Sequence, residues 1–233
     1  PFLVEEHGPS CEAACINAYI WARLSSAIRP ATVNPNTVEV RRCADAECRQ
    51  MDQPIALAPG AIRVTAVPGS TEENALQQFI SINPGDALRT GQFYRVLLRG
   101  GANPATPSIL SSRGQGLSGL NSPDGFFWIF KTKTDNGGMC TVARVELAPE
   151  RKIEQAVGGR QRFTAYPYSA PDSCSSIGQM IVSRETYAWD LADGEGRPDA
   201  QVARLVRRTD DDAVSVEDQD APVRAAMSTS DQQ

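Results

Sequence analysis

The sequence predicts an all-β fold made of two β-sandwiches in tandem. Three observations carry that expectation: short runs with period-two apolar spacing, turn clusters at intervals of roughly ten to twenty residues, and a length of 233 residues. That length suits two domains of roughly 100 residues each better than one.

Alternation puts successive side chains on opposite faces of a strand. In Tyr19-Ile20-Trp21-Ala22-Arg23-Leu24, the apolar set Ile20, Ala22 and Leu24 alternates with Tyr19, Trp21 and Arg23. Val38 and Val40 alternate next, then Ile62, Val64 and Ala66. Phe93 to Leu98 and Phe126 to Phe130 are rich in aromatic and β-branched residues, which suit a pleated, half-buried surface. Between these runs lie Asn34-Pro35-Asn36, Ala58-Pro59-Gly60, Asn83-Pro84-Gly85-Asp86 and Ser122-Pro123-Asp124-Gly125, all turn chemistry. Sixteen prolines and 18 glycines leave little room for long helices. Ser70 to Gln78 is the exception, because Ser70 and Glu73 have capping-box spacing and predict one or two helical turns.

The polar joint Thr134-Asp135-Asn136-Gly137-Gly138 divides the chain into an expected first domain, 1–134, and a second, 139–233. So short a linker predicts limited swing. The second series of runs is Ala143-Val145-Leu147, Phe163-Ala165, Tyr187-Trp189-Leu191, Val202 to Val206, Val214-Val216 and Val223-Ala225-Met227. The acidic segment 210–233 keeps strand-like valine spacing and is read as closing strands.

Composition excludes several function classes. Hydrophobic residues at 41% and charged residues at 22% are a globular balance. Twenty-three basic against 28 acidic residues give a net charge of −5, so no global positive field invites nucleic acid. No apolar stretch approaches the ~20 residues of a membrane-spanning helix. The start at Pro1 is read as a processed product or a piece of a longer protein. There is a single histidine, His7, in an N-terminal polar turn. Most zinc hydrolases and serine or cysteine hydrolases need a well-placed histidine. No catalytic residue is assigned, and the chain is expected not to be an enzyme.

The six cysteines are Cys11, Cys15, Cys43, Cys48, Cys140 and Cys174. Spaced pairs in even number suit disulfides and an oxidising compartment, and fifteen pairings are open. The simplest joins Cys11 to Cys15, Cys43 to Cys48 and Cys140 to Cys174. A structural zinc on Cys11, Cys15, Cys43 and Cys48 fits the spacing but leaves two cysteines unexplained.

Two family resemblances emerge from these runs. Residues 1–134 resemble the S-layer-type bacterial Ig-like domain: Pro1-Phe2-Leu3-Val4 to Pro9 looks like its first strand, and Thr37-Val38-Glu39-Val40 like its T-V-x-V strand. Pro84 to Val96 is similar to its P-x-x-x-L-x-x-G-x-x-Y-x-V stretch, and Phe127 to Thr132 to its closing strand. Residues 139–233 are similar to the group 2 bacterial Ig-like family, through Val145-Glu146-Leu147-Ala148-Pro149, Gly159 to Ala165, and Tyr187-Ala188-Trp189 followed by Val202-Ala203. Three departures stand out: the two cysteine-closed turns and the Ser70–Gln78 insertion of the first half, and the long segment from Ala170 to Glu185, read as tied back by Cys174. The resemblance implies two tandem immunoglobulin-like β-sandwiches of an extracellular, surface-located bacterial protein, used as a spacer or binding module.

Other motifs have plainer readings. Gly114-Gln115-Gly116-Leu117-Ser118-Gly119 fits G-x-G-x-x-G, but turn chemistry follows where a dinucleotide site needs a helix, so it reads as a flexible loop. Asp190 to Gly196, Asp210-Asp211-Asp212 and Glu217-Asp218 are calcium candidates, although they lack a complete oxygen-ligand pattern. No cofactor is expected apart from that calcium option. Trp21, Trp128 and Trp189 lie in alternating runs and are expected as core aromatics rather than carbohydrate platforms. Arg41-Arg42 and Arg204, Arg207 and Arg208 read as solvated faces or partners of a neighbouring subunit's acidic tail. Glu72 and Glu73 are adjacent on a polar loop and show no sign of a glycosidase cleft.

The expected function is a non-enzymatic building block of a cell-surface assembly: a filament, S-layer or stalk. Its partners would be copies of itself or other surface-protein domains, joined by strand addition with Val214–Val216 or Val223–Met227 as donor. The alternatives are an adhesin that binds a glycan or host protein through loops such as 102–122, and accessory domains of a secreted polysaccharide-active enzyme.

Overall fold

The structure is a computed structural model that describes residues 1–65, 78–101, 106–148, 160–182, 188–192, 203–207, 213–218 and 224–228. It is all-β, and no α-helix occurs among the described residues. Two compact units divide them. The first takes the described residues within Pro1–Val67, Leu76–Arg144 and Pro167–Ser183; the second takes those within Val145–Tyr166 and Arg184–Gln233.

The first unit holds β1 (Val4–Gly8), β2 (Ile20–Leu24), β3 (Val38–Cys43), β4 (Met51–Pro54), β5 (Ile62–Thr65), β6 (Phe79–Ile82), β7 (Phe93–Arg99) and β8 (Gly125–Lys131). They form two antiparallel sheets with strand orders β1-β2-β6-β5 and β4-β3-β7-β8. One face of each sheet is apolar because the runs alternate. Ile20, Ala22 and Leu24 of β2 and Ile80 and Ile82 of β6 meet Val38 and Val40 of β3, Tyr94, Val96 and Leu98 of β7, and Trp128 and Phe130 of β8 in one buried cluster. Phe2, Leu88, Ile109 and Leu117 belong to the same cluster. Each fully buried Leu, Ile or Phe contributes about 1.5–3 kcal/mol relative to exposure, so these interlocked faces hold the sandwich.

Tyr94 anchors the turn into β7. Its ring is 1% exposed and stacks on Phe130, and its hydroxyl accepts the Arg89 N–H at 2.7 Å. Burial raises its pKa, so it stays a neutral phenol. Gly91 makes the corner possible with φ of 67°, a left-handed conformation that glycine adopts without strain.

Not every strand was expected. Beta-strand 4 is polar and fully exposed, and β6 is buried on both faces, so neither shows the alternation that marks the others. Of the helical turns expected at 70–78, all but Gln78 lie outside the described residues. The joint at 134–138 forms a 3-10 turn, Asp135–Gly138, inside the first unit. The segment Gly114–Gly119 is not a free loop. Leu117 is 1% exposed in the core, its N–H bonds the Ile109 carbonyl, and Ser118 N–H bonds that of Phe2.

The second unit is built on β9 (Arg144–Ala148), β10 (Arg160–Tyr168), β11 (Ala188–Ala192), β12 (Ala203–Arg207), β13 (Ala213–Asp218) and β14 (Arg224–Ser228). Four of these form a sheet in the order β12-β13-β10-β9, and β11 pairs with β14. This pairing overturns the donor-strand expectation for Val214–Val216. Val214 to Val216 sit in β13, which is bonded to β10 on one side and β12 on the other. Ala225 and Met227 sit in β14, whose partner is β11. A strand already paired within its own chain has no backbone groups free to complete another sheet on that side.

Truncating the shared core should cost most. Leu98→Ala should destabilise by about 2–5 kcal/mol in denaturant unfolding, and Tyr94→Phe by about 1–3 kcal/mol, because it leaves the Arg89 N–H without its acceptor.

Candidate functional site

Two features of the first unit stand out chemically: a disulfide clamp and an aromatic, cationic sheet face. The clamp starts from the segment between β1 and β2. Cys11 bonds Cys174 across 163 residues of sequence and Cys15 bonds Cys140 across 125, with Cα–Cα distances of 5.3 and 5.7 Å. Cys43 bonds Cys48 and closes the β3–β4 turn. The local pairings expected for Cys11 with Cys15 and for Cys140 with Cys174 are therefore corrected, and the Cys43–Cys48 pairing is as expected. The reason is tertiary: residues 11–18 run beside both the end of β8 and the returning segment 167–182, which brings distant cysteines within bonding range.

Hydrogen bonds reinforce the clamp. Gln179 is 6% exposed; its Oε1 accepts the Cys15 N–H at 2.9 Å, and its Nε2 donates to Ala13 O at 3.1 Å and Asp172 Oδ2 at 2.7 Å. Asn17 Oδ1 accepts the Cys140 N–H, and Asn17 Nδ2 donates to the Cys140 and Val182 carbonyls. Ala18 and Ile181 form an antiparallel bridge and are buried with Cys15. Two carboxamides thus satisfy backbone groups that a loop could not otherwise bury. Gly178 has φ of 84° and its backbone lies so close to the Ser169 carbonyl that a Cβ there would strike it.

The zinc reading fails on the same pairing, because all six thiols are used in disulfides. Cys15, Cys140 and Asp172 are grouped tightly enough to hold a metal, but the two sulfurs are bonded to each other and cannot act as thiolates.

The second feature is the outward face of β4-β3-β7-β8. In register, Phe93 lies opposite Lys131, Arg95 opposite Ile129, and Leu97 opposite Phe127. Arg95 Cζ sits 4.2 Å from the Phe127 ring centroid, and Lys131 Nζ 5.0 Å from that of Phe93. On the neighbouring strand, Glu39 is 9% exposed and accepts from both Arg41 and Arg99. Burial raises the Glu39 pKa, but the hydrogen bonds and charges of the two arginines outweigh it and hold the carboxylate below its ordinary range. Arg95 has no carboxylate hydrogen-bond partner among the described residues; its Nη1 donates to Met51 Sδ at 3.6 Å. Its Nε is buried without a hydrogen bond, and desolvation lowers its pKa.

Other expected residues fall in varied places. Trp128 is 5% exposed in the core and donates from Nε1 to Pro9 O at 3.0 Å. Trp21 is half-buried on the face opposite Ile20 and Ala22, stacked on Phe79 at 5.5 Å. Trp189 lies in β11 opposite Met227. Arg42 pairs with Asp52. Arg204 and Arg207 lie in β12, Asp190 in β11, and Glu217 and Asp218 at the end of β13. Arg208, Glu72, Glu73, Asp193 to Gly196 and Asp210 to Asp212 lie outside the described residues. The loop 102–122 contains no aromatic residue.

No family model matches the chain, and no curated protein matches it. Among solved structures, the N-terminal part of the bacterial S-layer protein SbsC is similar at 9% identity and a TM-score of 0.32. The alignment covers 94% of this chain and 44% of that one, so the chain spans less than half of its length.

Two measurements check this geometry. Gln179→Ala removes three hydrogen bonds, one buried and two partly buried, and should lower unfolding free energy by about 2–4 kcal/mol with all disulfides intact. The His7 ring lies tilted against Trp128 at 4.7 Å, its Nδ1 is buried without a hydrogen bond, and burial lowers its pKa from the ordinary 6.5. The neutral ring's contribution is then full above about pH 6.5 and is lost as pH falls through the lowered folded-state value. Denaturant midpoints across that window should fall with pH, and the slope should flatten in His7→Gln.

Proposed function

We propose that the chain is a pair of immunoglobulin-like sandwiches that serves as a non-enzymatic building block of an extracellular bacterial surface assembly. The observation that carries this reading is the pair of long-range disulfides that ties the start of the first sandwich to residues 140 and 174. Such bonds persist in oxidising compartments and are rare where thiols are kept reduced. In the chain-entropy model, the Cys15–Cys140 bond alone stabilises by roughly 5 kcal/mol. With it in place, Cys11–Cys174 closes only a short further loop and adds roughly 4 kcal/mol. A protein exposed to proteases and mechanical load gains from such constraints on its unfolded state.

Strand order supports the immunoglobulin-like part of the reading. Named A to G with C′ after C, the first unit reads A-B-E-D in one sheet and C′-C-F-G in the other. The Tyr94 hydroxyl, bonded to backbone five residues upstream at the start of the F-type strand, matches the tyrosine corner of that architecture. The motif resemblances at Thr37–Val40 and Pro84–Val96 fall on the third strand and on the turn into the seventh.

The strand edges bear on how copies would join. The outer edge of β8 is occupied: Asn121 bonds both the N–H and the carbonyl of Phe127 through its amide, and Lys131 is bonded to Cys11 and Ala14. Beta-strand 4 is short, exposed and ends in Pro54, which has no N–H to donate. Guarded edges of this kind oppose uncontrolled strand pairing, so contact through faces is the better-supported mode.

Negative-stain electron microscopy of native surface material, with and without reductant, tests the proposal. Ordered filaments or lattices that contain this chain, and that lose order on reduction, are expected. Dispersed single particles in the native preparation would contradict the assembly role.

A further inference from the structure

We propose that the outward face of the β4-β3-β7-β8 sheet is the docking surface for a second copy of this chain, and that it receives that copy's acidic stretch 210–220. This deepens the assembly reading and rests on it.

The face has the composition of a recognition surface. Phe93, Phe127 and Ile129 stay partly exposed there, although the inner face of the same strands is closed. Aromatic residues and arginine are the types enriched at interface centres. Arg95 and Lys131 lie over the rings of Phe127 and Phe93 and make no ion pair among the described residues. Holding the Arg95 guanidinium against a ring, with Nε buried and unbonded and Nη1 donating to the Met51 sulfur at 3.6 Å, leaves it without a carboxylate acceptor among the described residues. An incoming carboxylate would supply one. Glu39 cannot, because Arg41 and Arg99 already share it.

Charge complementarity identifies the partner. Arg41, Arg95, Arg99 and Lys131 face two carboxylates, Glu39 and Asp124, the latter in the turn before β8 and acting on Arg95. Set those four cations and two acids aside from the chain's 23 basic and 28 acidic residues, and the remainder carries 19 against 26, a net of −7. A copy of the same chain therefore presents the opposite sign. Its densest run is 210–220, with Asp210, Asp211, Asp212, Glu217, Asp218 and Asp220 and no Lys or Arg among those eleven residues. Its centre forms β13, an element with alternating valines. A basic face on one copy meeting an acidic stretch on the next is a heterologous contact. Such contacts propagate into open filaments unless the rotation closes a ring.

The test is sedimentation velocity of the full chain over a range of concentrations at low and high salt, with two charge-reversed forms. One carries Arg95→Glu with Lys131→Glu; the other carries Asp210→Lys, Asp211→Lys and Asp212→Lys. The native chain should self-associate at low salt and dissociate as salt rises. Each reversed form alone should associate at least about tenfold more weakly, and an equal mixture of the two should recover a complex. Near-UV circular dichroism confirms that each form is folded, and Lys131→Glu alone provides the test if Arg95→Glu unfolds.

Association unchanged in both reversed forms would overturn the docking face and leave the assembly reading standing. Loss in both without recovery on mixing would overturn the pairing of this face with the acidic stretch. A native chain that stays monomeric at every concentration and salt would overturn both the face and the assembly reading.

Discussion

The arrangement of the first sandwich depends on one short segment, residues 11–18, being held on both sides. On one side, Ala14 and Lys133 continue the hydrogen bonding at the end of β8. On the other, Tyr19 N–H bonds the Met180 carbonyl and Val182 N–H bonds that of Asn17. The two long-range disulfides fasten this layer covalently. The constraint is topological as much as energetic. A chain that leaves the sandwich after β8 is brought back to it at 167–182, so the first unit is completed by residues far beyond its last strand. The burial of Ile181 at 0% and of Gln179 at 6% shows that this return is core, not decoration.

Much of the fold was legible in the sequence, and the failures have physical causes. Period-two spacing located β2, β3, β5, β7 and β8 and the strands of the second unit, and in β2 the alternation is one of burial, with Ile20, Ala22 and Leu24 covered and Trp21 and Arg23 partly exposed. It missed β4, which buries neither face, and β6, where Phe79 and Ser81 are covered as fully as Ile80 and Ile82. Trp21, expected in the core, is instead half-buried on the face opposite Ile20 and Ala22, stacked on Phe79. The clamp was not legible. Local spacing suggested that Cys11 pairs with Cys15, yet which cysteines meet is set by strand pairing across more than a hundred residues. The strap's one visible signal was its length, Ala170 to Glu185, together with Cys174. The partners Gln179 and Asn17 carry no motif at all.

The same sandwich separates durability from contact. Its core and disulfides keep one folded state, and the edges of the β4-β3-β7-β8 sheet are guarded by Asn121, by Pro54 and by the 11–14 segment. What stays available is a sheet face where rings and cations are interleaved. On a chain whose remaining residues are net acidic, that face is distinguished by its sign as well as by its apolar content. A protein built this way would resist unfolding through one set of residues and meet partners through another.

The central claim is the clamp, and disulfide mapping tests it most directly. Non-reducing proteolysis of the native chain, followed by mass spectrometry, should recover peptides that link Cys11 to Cys174, Cys15 to Cys140 and Cys43 to Cys48. Peptides that link Cys11 to Cys15 and Cys140 to Cys174 would contradict the account, because residues 167–182 would then have no covalent tie to the start of the chain.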